Sequence, residues 1–139
     1  MKRFLLILSL FFLIGPSLHA QDEDEKNDKI KEKMTEFIQR RLNLSRNEAE
    51  KFSPVFFRYF REWRSTLREF KGVDDKLRLQ QRIVEIRLRY RSEFKEIIGE
   101  KRSNEVYEQQ ERFIQGIREM RKEQLIDGRS NRRIRAIIQ

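Results

Sequence analysis

The sequence predicts an all-α protein of four helices, and three observations predict it. Beyond residue 20 the chain holds one proline, Pro54, and four glycines, Gly72, Gly99, Gly116 and Gly128, so long stretches run without a breaker. Across those stretches apolar residues recur every three or four positions, the period of a helix with a buried face. Ser45, followed three residues on by Glu48, has the spacing of a capping box, in which a hydroxyl and a carboxylate answer the free N–H groups at a helix start.

The first 20 residues read as an export signal. Lys2 and Arg3 precede an eleven-residue apolar run, Phe4 to Ile14, which Gly15 and Pro16 break before Ala20 and the acidic segment that follows. That layout predicts a secretory signal peptide cleaved after Ala20. The run falls short of the roughly 20 apolar residues a membrane span needs. Residues 21–28 then read as a flexible acidic N-terminus, 29–126 as the helical domain and 127–139 as a basic C-terminal tail.

The first helix is expected from about Lys26 to Leu42, with Ile30, Met34, Phe37 and Ile38 inward. Ser45 caps the second, and Leu44 before it is placed to staple onto Ala49. That helix runs to about Lys71 and ends at Gly72. Asp74 or Asp75 caps the third, which runs to Ile98, and Gly99 separates it from a fourth over Glu100 to Ile126.

Within the second helix, Phe52 to Trp63 places six aromatic residues in twelve positions. Phe52, Phe56, Tyr59, Trp63, Leu67 and Phe70 share one narrow stripe at about 100° per residue, the mark of a packed seam, with Phe60 at its edge. Phe57 falls on the other side, on one face with Arg61, Arg64 and Arg68. Either a neighbouring helix or second subunit covers it, or it is an exposed aromatic in a basic field. Pro54 lacks an N–H and clashes with the Glu50 carbonyl, so a bend is expected there.

The third helix carries two apolar stripes, Leu79, Ile83, Ile86, Tyr90, Phe94 and Ile97 on one side and Leu77, Val84 and Leu88 on another. The fourth carries Val106, Phe113, Ile117 and Met120, with Tyr107, Ile114 and Leu125 beside them. A second copy of the chain would cover the extra stripes; wider seams within a monomeric bundle are the alternative.

Composition narrows the chemistry. The chain is 40% charged with a net charge of +9, and removal of Lys2 and Arg3 with the leader takes this to +7. There is no cysteine, and the single histidine, His19, leaves with the leader. Imidazole and thiolate metal sites and Ser-His or Cys-His nucleophiles are thereby excluded from the mature chain. No glycine-rich phosphate loop occurs. The expectation is no enzyme, no metal and no cofactor.

The segment Leu42 to Phe56 resembles the periplasmic helical proteins of the Spy/CpxP type, most closely the branch described as sensor of ECF-type sigma factor. Leu42, Leu44, Ser45, Glu48, Ala49, Phe52, Pro54, Val55 and Phe56 match that branch's motif. The family's second copy of the capping motif corresponds to Ile98, Gly99 and Arg102, where glycine replaces the hydroxyl and arginine the glutamine. The resemblance implies a four-helix, hairpin-type thin bundle that dimerises into a curved cradle in the periplasm. It implies either ATP-independent holding of unfolded or misfolded proteins, or envelope-stress sensing with a membrane signalling partner. Metal sensing, known in some relatives, has no His or Cys here to serve it.

A client-binding surface needs apolar patches and charge for capture. Phe57 with Arg61, Arg64 and Arg68 is the first candidate, and Arg87, Arg89 and Arg91 extend it. The competing expectation is a basic helical protein that binds nucleic acid or a membrane surface, since a pI near 10.1 with interleaved arginine and aromatics is the footprint of the former. Export argues against nucleic acid. The tail, Arg132 to Ile138, suits an acidic membrane surface.

Overall fold

A computed structural model describes residues 18–138, with side chains described from 23 to 128. Its four helices are α1 (Leu18–Arg41), α2 (Arg46–Glu69), α3 (Lys76–Ile98) and α4 (Glu100–Ile138), and no strand occurs among the described residues. The apolar run of residues 4–14 and the side chains around the proposed cleavage point lie outside the described residues. The chain forms two compact units, Met1–Glu32 and Lys33–Gln139.

In the first unit, residues 18–32 are helical throughout. The acidic stretch 21–28, expected as a flexible lead-in, is therefore part of α1. Pairs one turn apart support it: Lys29 meets Glu25 at 2.6 Å and Lys31 meets Asp28 at 2.8 Å. Such pairs lend an exposed helix modest support that salt weakens.

In the second unit the helix ends have local causes. Asn43 takes a left-handed backbone (φ 55°) between α1 and α2, a conformation asparagine tolerates better than most residues. The Ser45 hydroxyl accepts from the Glu48 N–H at 3.2 Å and the Glu48 carboxylate accepts from the Ser45 N–H at 2.9 Å, so the capping box forms. Asp75, not Asp74, caps α3 by accepting from the Arg78 N–H at 3.0 Å. Gly99 ends α3 at φ 80°. A Cβ there would meet nothing within 4 Å, so the backbone angle and not crowding makes a hydroxyl residue unsuitable.

Two helices differ from expectation. α2 stops at Glu69, two residues before the expected Lys71, and carries Pro54 inside it as expected. α4 continues past Gly128 to Ile138, so the basic segment 127–139 is helical up to that residue. A lone interior glycine costs only about 1 kcal/mol and no proline follows it.

The core of this unit is the aromatic seam of α2 set against α3. Phe52, Phe56, Tyr59 and Phe94 are fully buried. Phe52 lies 5.0 Å from Phe94 between ring centroids and 5.5 Å from Phe56, and Tyr59 meets Tyr90 edge-on at 5.6 Å. Aromatic pairs in these stacked, tilted and edge arrangements contribute about 0.5–1.5 kcal/mol beyond their burial. Met34 and Ile38 of α1, Leu42 just after it, Val55 and Phe60 of α2, Ile86 and Ile98 of α3 and Val106 of α4 complete the buried apolar set. Phe60 is buried, whereas Trp63, Leu67 and Phe70, assigned to the seam from spacing, are only half-buried.

Cross-helix pairs give the directions. Gln39 of α1 donates to the Ala49 carbonyl and to the Ser53 hydroxyl of α2, and Phe37 sits 5.5 Å from Phe113 of α4. Arg58 pairs with Glu93, and Arg89 with Glu62 at 2.6 Å, so α2 and α3 run antiparallel. Arg87 pairs with Glu111 at 2.6 Å, while Phe94 further along α3 lies 6.3 Å from Tyr107, earlier on α4, so α3 and α4 do as well.

α4 departs furthest from a hydrophobic reading. Its buried positions include Ser103, Gln109 and Gln110 beside Val106, while Met120 is 57% exposed. Gln110 accepts from the Tyr59 hydroxyl at 2.6 Å inside the core.

Candidate functional site

The arginines proposed from sequence differ in how they are engaged. Arg87 is half-buried; besides its Glu111 partner it lies over the Tyr107 ring, 5.1 Å from the centroid. Arg89 is tied to Glu62 and lies 5.6 Å from the Tyr90 centroid. Both guanidiniums therefore bridge helices. Arg91 is exposed and forms no ion pair among the described residues.

On α2, Arg61 and Arg68 are exposed and without an ion pair among the described residues, whereas Phe57 and Arg64 are half-buried. Phe57 continues the stripe of Ser53, the residue that takes the Gln39 amide from α1. The expected exposed aromatic in a basic field is thus partly covered. The geometry favours the first of the two readings the sequence left open.

An exposed apolar surface lies instead between α3 and α4. Val84, Arg87, Leu88 and Arg91 on one side and Asn104 and Tyr107 on the other line a shallow groove of about 400 Å³. Val84 is 53% exposed and Leu88 48%. α3 buries Ile86, Tyr90 and Phe94 against α2 and α4, and helical geometry then turns Val84, Leu88 and Arg91 onto a neighbouring face. Tyr107 forms the floor. It is half-buried, packs at 5.3 Å from Tyr59 and 6.3 Å from Phe94, and burial pushes its phenol up well beyond the usual range. The phenol stays protonated and donates to the Arg87 carbonyl, which fixes the rim of α3 against α4.

Val84 and Leu88 were legible as a surplus stripe. Asn104 and the inward turn of Tyr107 were not, because a lone asparagine on a charged helix carries no signal until its neighbours are placed. Val73, Leu77, Met120, Leu125 and Ile126 make a further exposed apolar set, each more than half exposed.

The residues that carry the sequence resemblance have structural places here. Leu42, Phe52, Val55 and Phe56 are core, Ser45 and Glu48 form the cap, Leu44 and Ala49 are half-buried, and Pro54 is exposed within α2. Arg102 binds Glu48 through two hydrogen bonds and so joins the first turn of α4 to the capped start of α2.

Among the described residues no group of three or more His, Cys, Asp or Glu is arranged to hold a metal ion, and no helix is long and apolar enough to cross a membrane. Compared with known proteins, the chain matches no family model, no curated protein and no solved structure.

Proposed function

We propose that the protein is an exported helical binding module that holds other polypeptides without ATP, as a chaperone-like holdase or as the sensing part of an envelope-stress pathway linked to an ECF-type sigma factor. The α3–α4 groove carries this reading. Two aliphatic side chains about half exposed, an aromatic floor and an arginine with no ion pair among the described residues combine apolar contact with charge. An open, shallow surface of this kind suits extended or partly folded chains better than a small ligand, which pockets enclose. The exported state rests on the leader pattern of residues 1–20, and the family reading on the motif of residues 42–56. The exposed set Val73, Leu77, Met120, Leu125 and Ile126 supports a homodimer in which a second copy covers it.

The deciding experiment is suppression of aggregation of a heat-unfolding test protein by the purified protein without nucleotide. Suppression at near-stoichiometric amounts, weakened by Leu88→Asp at unchanged helicity, is the expected result. No suppression by the parent protein would remove the holdase reading.

One observation favours a second reading. α4 continues as helix through the arginine-rich segment 129–138, and a basic helix with aliphatic residues can lie on an anionic membrane surface. Binding to anionic vesicles that is lost on deleting residues 128–139 would establish that role.

A further inference from the structure

We propose that the α3–α4 groove takes a partner segment in which apolar side chains are followed by a carboxylate, the apolar part on Val84 and Leu88 and the carboxylate on Arg91 and Asn104. This rests on the binding-module reading above and names its occupant.

The polarity of the groove comes from the register of its two helices. Arg87 is opposite Glu111, its carbonyl receives the Tyr107 hydroxyl, and Phe94 lies 6.3 Å from the Tyr107 ring. Tyr107 therefore sits at a level between Arg87 and Phe94. Asn104, one turn earlier on the antiparallel α4, lies further toward the C-terminal end of α3. Along the groove, Val84 and Leu88 come first, Tyr107 next, and Arg91 with Asn104 last. One end is aliphatic and the other polar and basic.

The charge at the polar end is not answered within the described residues. The acids on the α4 flank already have partners: Glu108 is held by Arg112 at 2.6 Å and Glu111 by Arg87 at 2.6 Å. Glu105 falls on a different flank, with Arg102 and Gln109, the side from which α4 reaches α2 and α1. Arg91 is exposed and forms no ion pair among the described residues, and the same holds for Lys101, one turn before Asn104. Arg91 and Tyr107 line the same groove, so the Arg91 charge bears on it. A guanidinium offers a paired donor edge to a carboxylate, and the Asn104 amide adds a donor beside it. A neutral or basic apolar segment would cover Val84 and Leu88 but leave that edge unused.

The test uses the protein as the cell produces it and three fluorescently labelled ten-residue peptides. One carries two leucines followed by two aspartates, the second has lysines in place of the aspartates, and the third has serines in place of the leucines. The first peptide is expected to bind roughly tenfold tighter than either control at low salt, because like charges across an interface are strongly disfavoured. Its advantage over the lysine peptide should shrink as salt is raised. Arg91→Glu, at an exposed position, is expected to keep the fold by circular dichroism and to reverse the order of the two charged peptides. Leu88→Asp should weaken both.

Equal binding of the two charged peptides, or an order unmoved by Arg91→Glu, overturns the carboxylate assignment, while persisting aggregation suppression would leave the binding-module reading standing. Anionic vesicles that displace the peptide and lose binding on Arg91→Glu would make the occupant a lipid headgroup and overturn the proposal. A change of mass in light scattering on Leu88→Asp would make the groove a subunit interface and overturn it too. If no peptide binds and Leu88→Asp leaves aggregation suppression intact, the groove is not the site and both readings of it fall.

Discussion

Arg102 holds Glu48 through both of its terminal nitrogens, with Nη1 donating to Oε2 at 2.9 Å, while its Nε donates to the Ile98 carbonyl at 2.9 Å. One guanidinium thereby joins the start of α2, the end of α3 and the first turn of α4. Glu48 also accepts the Ser45 N–H, so its carboxylate serves the helix cap and the tertiary clamp together. Close to a helix N-terminus a positive side chain is disfavoured by the helix dipole, and the Glu48 carboxylate offsets this for Arg102.

The clamp has a pH signature. The Arg102 guanidinium, and after it the Ser45 N–H, hold the Glu48 carboxyl down at about 2 against an ordinary 4.5. A carboxylate depressed on folding contributes stability that is fully present above its unfolded value and is lost as pH falls through the folded one. In urea titrations Glu48→Gln should be less stable than the parent at pH 6, and the gap should close between 4.5 and about 2. A gap of constant size across that window would contradict the assignment.

A second prediction concerns the polar pair inside the core. Tyr59 and Gln110 are both fully buried and joined at 2.6 Å, and the Gln110 amide nitrogen has no hydrogen-bond partner among the described residues. Tyr59→Phe strands the amide oxygen as well and should cost about 1–3 kcal/mol. Tyr59→Phe combined with Gln110→Met replaces both partners by apolar groups and should recover most of that loss. Chemical denaturation of the two single variants and the double variant gives the coupling. Additive losses would mean the pair is not coupled.

Neighbouring phenylalanines should respond differently. Phe56 is fully buried in the seam, whereas Phe57 is half-buried on the flank toward α1. Phe56→Ala should cost about 3–5 kcal/mol, enough to unfold a domain of ordinary stability. Phe57→Ala should cost on the order of 1 kcal/mol. Thermal melts of the two variants decide it, and equal losses would place Phe57 in the core.

What the sequence determined by itself is local in origin. The order of the four helices, the capping box at Ser45 and Glu48, the break at Gly99 and the seam of Phe52, Phe56 and Tyr59 follow from dihedral preference, capping chemistry and a 3.6-residue period. Each acts within a few turns of the chain and so can be read along it. The tertiary structure alone decided which surplus faces are covered. Period gives a residue's angle on its own helix but not the rotation of the helix beside it. Tyr107 and Val84 both looked surplus, yet Tyr107 packs beneath Arg87 and Val84 faces outward. The arginines divided for the same reason. Arg87 and Arg89 meet carboxylates 24 and 27 positions away and become interhelix bridges, while Arg91, one turn beyond Arg87, pairs with no acid among the described residues and is exposed. Gln110 was passed over as polar, but its side chain turns inward because the Tyr59 hydroxyl waits there, at a separation of 51 positions that no local pattern encodes.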